Sequence, residues 1–231
     1  MELARAPRKE TRPIAVQKQK SYEYTITYAP LELARRKISF SSKEIRHLTV
    51  ASLLVMGVGL SSGMFLEVYT EIWDPIVLVM SIVILALSFL MHEIAHKIAA
   101  QRNGLWAEFR LTLMGAILTL FSVVSPIKII SPGAVMVAGS ADRKALGKIS
   151  IAGPVTNITL STVFFAAAFL PSQYALIILF GAAINAWIAF FNLIPFGLLD
   201  GFKVFLWNKS IWALVFTASL ILTIISYTFV V

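Results

Sequence analysis

The chain has 231 residues, 58% hydrophobic and 14% charged, with a mean hydropathy of +0.81. Soluble domains carry about 25% charged residues, so a water-soluble globule is excluded. The absence of cysteine excludes disulfides, thiolate metal sites and a cysteine nucleophile, and the net charge of +8 is concentrated at one end, with eleven of the twenty Lys and Arg in residues 1–46.

Residues 1–20 are rich in Lys, Arg, Pro and Gln and are expected to be disordered. Residues 21–33, SYEYTITYAPLEL, alternate in the manner of a short strand. Residues 34–46 are basic and are expected at the membrane surface. The whole of 1–46 reads as a cytoplasmic tail, retained on that side by its positive charge and drawn to anionic headgroups. No aromatic and basic platform accompanies the charge, so nucleic acid is not an expected partner. The polar stretch is too long for the n-region of a signal peptide, and no cleaved signal is expected.

A first span is predicted at 47–66, with Gly57, Gly59 and Gly63 small enough for close helix contact. The loop 67–74 carries Glu67, Glu71 and Asp74 and no positive charge. Asp74 followed by Pro75 is a helix start, a side-chain cap and then proline at the first position. A second span runs from 75 to about 101 and ends in Lys97 and Arg102.

Residues 105–140 contain a short apolar run, LTLMGAILTLFSVV, broken by Pro126, Pro132 and Gly133. Arg143, Lys144 and Lys148 follow. If 105–140 crossed the membrane once, these charges would lie outside, against the positive-inside rule. A re-entrant segment or hairpin keeps them inside, and irregular backbone at that depth requires burial in protein or a wet cavity. Further spans are predicted at 149–170, 174–195 and 210–231, the first two separated by Pro171-Ser172-Gln173. The chain thus reads as an all-α polytopic membrane protein of about five to six transmembrane helices. A tail, 1–46, precedes a membrane domain, 47–231, with the N-terminus cytoplasmic and the cell membrane as its expected location.

The chemistry centres on His92-Glu93-Ile94-Ala95-His96. On a helix, positions i and i+4 share a face, so both imidazoles can bind one metal ion, with Glu93 beside them to take a proton from its water. Ionisable groups within a span are costly and mark function, and three lie here within five residues. The bland alternative is a helix end with snorkelling polar groups.

A third ligand is needed, and after Glu93 the chain offers Glu108, Asp142 and Asp200 as carboxylates. Glu108 and Asp142 sit among basic residues and read as loop charges. Asp200 ends a Pro- and Gly-interrupted stretch, FNLIPFGLLDG, at the same side as His96, where the bland alternative is a cap or turn residue. Asn157, Asn185 and Asn192 are amides in apolar helices, suited to interhelical hydrogen bonding or to binding a substrate backbone. His47 reads as an interfacial residue.

Three motifs in order make the chain resemble the site-2 protease family of intramembrane metallopeptidases. They are His92 to His96; Gly153-Pro154-Val155-Thr156-Asn157; and Asn192 with Pro195, followed by Leu199-Asp200-Gly201. The resemblance covers about 75–205 and marks that stretch as the catalytic core. It implies one zinc ion held by His92, His96 and Asp200, Glu93 as general base, and substrate contacts from Asn192 and Asn157. It also implies a membrane-dipping β-hairpin at 128–139 whose edge would pair with an unwound substrate. Members often carry proline two residues before the aspartate, where this chain has Leu198; no PDZ-like or nucleotide-binding domain is seen.

The expected activity is hydrolysis of a peptide bond in or near the transmembrane segments of membrane proteins. The expected partners are a substrate helix and the lipid bilayer, with a homo-oligomer open. The alternatives are a membrane transporter or metal carrier, for which no internal repeat is found, and an inactive scaffold, which would have no use for a general base.

Overall fold

The computed structural model describes residues 38–70, 74–197 and 199–230, with side chains left aside for 63–70. The tail 1–20, the strand expected at 21–33 and Leu198 lie outside the described residues.

Five of the helices described are long and apolar enough to cross a membrane: α1 (Ser42–Thr70), α2 (Pro75–Arg102), α4 (Arg143–Ala167), α5 (Ala175–Asn192) and α7 (Lys209–Val230). Their outer faces expose large apolar side chains, among them Leu53, Val79, Leu87, Val163 and Leu214. Lipid accepts such a surface and water does not. The protein is an integral membrane protein. α2 starts as its sequence requires, with Asp74 Oδ1 accepting from Ile76 N at 2.8 Å and proline in the first turn. Gly59 lets α1 approach α2 closely, since a Cβ there would lie 2.9 Å from Ile82 Cα. Val55, Val58, Leu85, Phe89, Ile184 and Ile188 fill the space between α1, α2 and α5.

Residues 105–140 enter and leave at the same end. β1 (Trp106–Leu111) pairs antiparallel with β2 (Gly133–Ala138), so that Trp106 faces Ala138. Between them α3 (Leu113–Val124) runs deeper, capped by Thr112, with Leu113, Met114, Leu120, Phe121 and Val124 exposed. The returning chain hangs on the side chains of α3: Ile129 N donates to Ser122 Oγ and Ser131 N to Thr119 Oγ1. Lys128 Nζ donates to Ser61 Oγ and Ser122 O, and Trp187 Nε1 donates to Lys128 O. Buried backbone without regular structure survives because these side chains satisfy it.

The expected hairpin at 128–139 is corrected in its pairing. Only 133–138 is strand, and its partner lies upstream at 106–111. Pro126 and Pro132 have no N–H to give to a ladder, so the local turn cannot be followed by two paired strands.

The first helix also begins earlier than the predicted 47, because Glu44 is not a surface charge. Along β1 alternate residues turn away from β2. Phe109 N donates to Glu44 Oε1 and Leu111 N to His47 Nδ1, both at 3.0 Å. Lys97 Nζ reaches Ala107 O at 3.3 Å and Glu44 Oε2 at 2.5 Å. Side chains of α1 and α2 thus cover the outer edge of β1, with the Glu44–Lys97 pair fully buried. Removing one partner of such a pair leaves an uncompensated charge, at a cost of about 3–5 kcal/mol. Lys97→Ala is expected to lower the thermal unfolding midpoint in detergent accordingly. The double change Glu44→Gln with Lys97→Met should recover part of the loss. A single variant as stable as wild type would show that the pair does not hold this edge.

The remaining elements are α4, α5, the short α6 (Asp200–Trp207) and α7. α4 begins at Arg143, ahead of the predicted 149, because Asp142 Oδ1 caps it by accepting from Ala145 N at 2.6 Å. Asp142 is therefore a helix cap. Glu108 pairs with Arg110 on β1. Neither carboxylate approaches the histidines as a ligand.

Candidate metal centre

His92 and His96 project from one face of α2, one turn apart, and both are buried. His92 lies ten residues from the Arg102 end of the helix, which at 1.5 Å per residue is about 15 Å. The two histidines therefore sit in the C-terminal half of α2, toward its basic end.

Each imidazole is oriented from behind by α4. His92 Nδ1 lies 2.5 Å from Asn157 Oδ1, and His96 Nδ1 lies 2.8 Å from the carbonyl of Ile149. One residue along, the carbonyl of Ser150 loses its helical partner, because Pro154 has no N–H to return to it. Carbonyl oxygens only accept, so each Nδ1 carries the proton and each Nε2 keeps a free lone pair.

Gly153 makes the approach of α2 and α4 possible. A Cβ there would overlap His96 Nε2 and lie 2.6 Å from His92 Nε2. The glycine of the second motif is thus explained by space, directly beneath the two imidazoles.

Asp200 arrives from the other side. The chain leaving α5 turns through Gly197, whose φ of +56° is readily adopted by glycine. Gly201 then packs on the backbone of Leu193, where a Cβ would overlap the Leu193 carbonyl. This contact seats the first turn of α6 against the end of α5 and points Asp200 at the histidines.

The result is a cluster of three acceptor atoms. His92 Nε2 and His96 Nε2 are 2.9 Å apart, and Asp200 Oδ2 is 2.9 Å from His96 Nε2 and 3.4 Å from His92 Nε2. With the single proton of each neutral ring committed at Nδ1, no hydrogen is left to bridge the two imidazoles. Lone pairs so placed repel one another unless a cation lies among them. Tetrahedral zinc with bonds of about 2.0–2.2 Å spaces its ligand atoms by about 3.3–3.6 Å; the His92–Asp200 separation matches, and the two of 2.9 Å need to open by only about 0.4 Å. The donor set fits zinc.

Glu93 stands next to this cluster, buried, with Oε2 making no hydrogen bond. A buried carboxylate oxygen without a partner is costly, and its place beside three converging donors gives it a chemical rather than a structural explanation.

Of the two roles the sequence offered for Asn157, interhelical hydrogen bonding is the one its contacts fill. Its side chain is fully buried, Oδ1 faces His92, and Nδ2 donates to Asn185 Oδ1 at 2.8 Å and Ser88 O at 3.3 Å. Both amide hydrogens and the carbonyl are engaged within the bundle. Asn192 closes α5, with Nδ2 donating to Ile188 O at 2.9 Å. His47 accepts from β1 and is remote from the cluster in role. Ser88 went unnoticed in the sequence, although it lies four residues before His92 and hence on the same face.

Several known proteins resemble this chain. The family model described as peptidase family M50 matches residues 80–177. A candidate zinc metalloprotease of Methanocaldococcus jannaschii is 34% identical over 181 residues, which covers 76% of this chain and 90% of that protein. Candidate zinc metalloproteases from two strains of Mycobacterium tuberculosis are 31% identical over 137 residues, covering 55% of this chain and 31% of theirs. No solved structure gives a significant match.

Proposed function

Because this chain belongs to peptidase family M50, the site-2 protease family, and is a zinc metalloprotease of the membrane, we propose that it hydrolyses peptide bonds in or beside the transmembrane segments of other membrane proteins. The observation that carries this reading is depth. His92 and His96 lie ten and six residues from the Arg102 end of α2, about 15 and 9 Å along its axis, which supports a site below the membrane surface where a protein substrate of the membrane can present its chain.

In this reading His92, His96 and Asp200 hold the zinc ion. Zinc, when bound, supplies Lewis acidity to water and to a carbonyl. Glu93 Oε2 receives the proton of the attacking water and returns it to the leaving amine nitrogen. Its lack of a hydrogen-bond partner supports this role. Asn157 keeps His92 Nδ1 protonated and its Nε2 free, and Ile149 O does the same for His96. Asn192, at the end of α5 and eight residues before Asp200, contacts the substrate backbone.

A transmembrane helix hides its carbonyls in its own hydrogen bonds, so it must unwind before attack. The backbone of Val135 and Val137 faces away from β1 and has no hydrogen-bond partner among the described residues. This supports strand addition along β2 as the way an unwound substrate is held. The basic residues at the Arg102 end, with Arg143, Lys144 and Lys148, favour placing that end in the cytoplasm.

The test is cleavage of a reporter membrane protein by the purified chain in lipid nanodiscs. One zinc per chain is expected, cleavage should stop on chelation, and added zinc should restore it. Cleavage that persists in chelated, zinc-free protein would overturn the assignment.

A further inference from the structure

Behind the metal ligands runs a buried chain of hydrogen bonds whose direction is fixed at every step. His92 Nδ1 donates to Asn157 Oδ1, and Asn157 Nδ2 donates to Asn185 Oδ1 at 2.8 Å. Asn185 Nδ2 donates to Ser88 Oγ at 2.8 Å and to Gly181 O at 2.9 Å, and Ser88 Oγ donates to Ile84 O at 2.7 Å. Asn157 and Asn185 are fully buried and Ser88 nearly so. The chain joins α4, α5 and α2 at one level.

The orientation of each amide follows from the one behind it. Gly181 O only accepts, so Asn185 must present its nitrogen there and its oxygen to Asn157. Asn157 must then present its nitrogen to Asn185 and its oxygen to His92. A neutral imidazole offers either a donor or an acceptor at Nδ1, according to tautomer. Facing an oxygen, it takes the Nδ1–H form, and Nε2 is free to ligate. Were Asn157 turned over, its amide hydrogens would face His92 Nδ1. The ring would then carry its proton on Nε2, which cannot bind a metal ion.

From this we infer that Asn185 is a positioning residue for the zinc site, acting through Asn157 to select the metal-binding tautomer of His92. The inference rests on the reading of His92 as a zinc ligand. Outer partners of metal-bound histidines are commonly worth about 10–100-fold in metal affinity. Asn185 stands one step further out, so the lower end of that range is expected.

Two variants separate orientation from packing. Asn185→Leu removes the nearer of the two oxygens that hold the Asn157 amide, at 2.8 Å, and leaves it only the longer bond to Ser88 O at 3.3 Å to resist turning over. Asn185→Asp keeps an oxygen toward Asn157 and, when protonated, a hydroxyl toward Ser88. The chain has only three histidines, so nitrogen NMR of ¹⁵N-histidine-labelled, metal-free protein in detergent resolves each ring. In wild type His92 should be the Nδ1–H tautomer. In Asn185→Leu the Nε2–H form should appear, and zinc should pass to a competing chelator about tenfold more readily. Asn185→Asp should stay near wild type on both readouts. If Asn185→Leu keeps the wild-type tautomer, or if Asn185→Asp weakens zinc as much as Asn185→Leu, Asn185 is packing alone and the proposal fails. His92→Ala, measured alongside, tests the reading beneath it: zinc affinity unchanged in that variant would remove His92 from the ligands, while the tautomer spectra would still decide what Asn185 does.

Discussion

Glu93→Gln is expected to retain one zinc ion per chain and to lose about 10²–10⁴-fold in the rate of peptide-bond cleavage, the range that a positioned general base contributes. The argument starts from a single atom. Glu93 Oε2 is buried and makes no hydrogen bond, so replacing it breaks none. Gln has the same shape, and a helix accommodates Gln as well as Glu, so α2 and the two histidines on it should be undisturbed. What Gln cannot do is accept a proton. Zinc content by elemental analysis, paired with single-turnover cleavage of a membrane substrate, separates the two properties. A Glu93→Gln protein that cleaves at close to the wild-type rate would remove Glu93 from the chemistry. One that loses its zinc would mean the side chain had been holding the site together.

Gly153→Ala should be as damaging, for a reason of space. Alanine in place of glycine within a helix ordinarily adds about 0.5–1 kcal/mol of stability, and on helix propensity alone the variant should be the better protein. Here the added methyl would overlap His96 Nε2 and crowd His92 Nε2 at 2.6 Å. Either α4 moves away, taking Asn157 and Ile149 O with it, or the imidazoles turn out of line. Displacements of about 1 Å from productive geometry can cost about 10²-fold in rate. The expected result is a protein with wild-type helix content but with weak zinc binding and cleavage reduced at least about 10²-fold. Stoichiometric zinc at wild-type affinity would show that α2 and α4 can part far enough to admit a methyl group without disturbing the histidines.

What the sequence made visible was whatever periodicity or charge could carry. The i, i+4 spacing put His92 and His96 on one face without any tertiary information. The placement of Arg143, Lys144 and Lys148 required 105–140 to return to the side it left, and the antiparallel pairing of β1 with β2 brings it back. Asp74 and Pro75 announced the start of α2 by local chemistry alone. The pairing partner of β2 was not legible, because 106–111 and 133–138 are brought together across an intervening helix and neither strand names the other. Glu44 and Lys97 looked like an interfacial charge and a helix end; only their meeting across 53 residues makes them a buried pair. Asn157 illustrates a different limit. Its presence in the motif was plain, but an amide in an apolar helix suits a substrate and a histidine equally well, and only the direction of its hydrogen bonds distinguishes them. Gly153 marked a motif position long before its reason could be known, since a missing Cβ has meaning only in relation to the atoms that would collide with it.

The return of 105–140 to its own side also bears on how often the described residues pass the membrane. With that excursion contributing no net passage, five crossings remain among the described residues. If each of the five crosses once, the odd number would put the Ser42 end of α1 and the Val230 end of α7 on opposite faces of the bilayer, so that anything tethered through one end would be sealed off from anything tethered through the other.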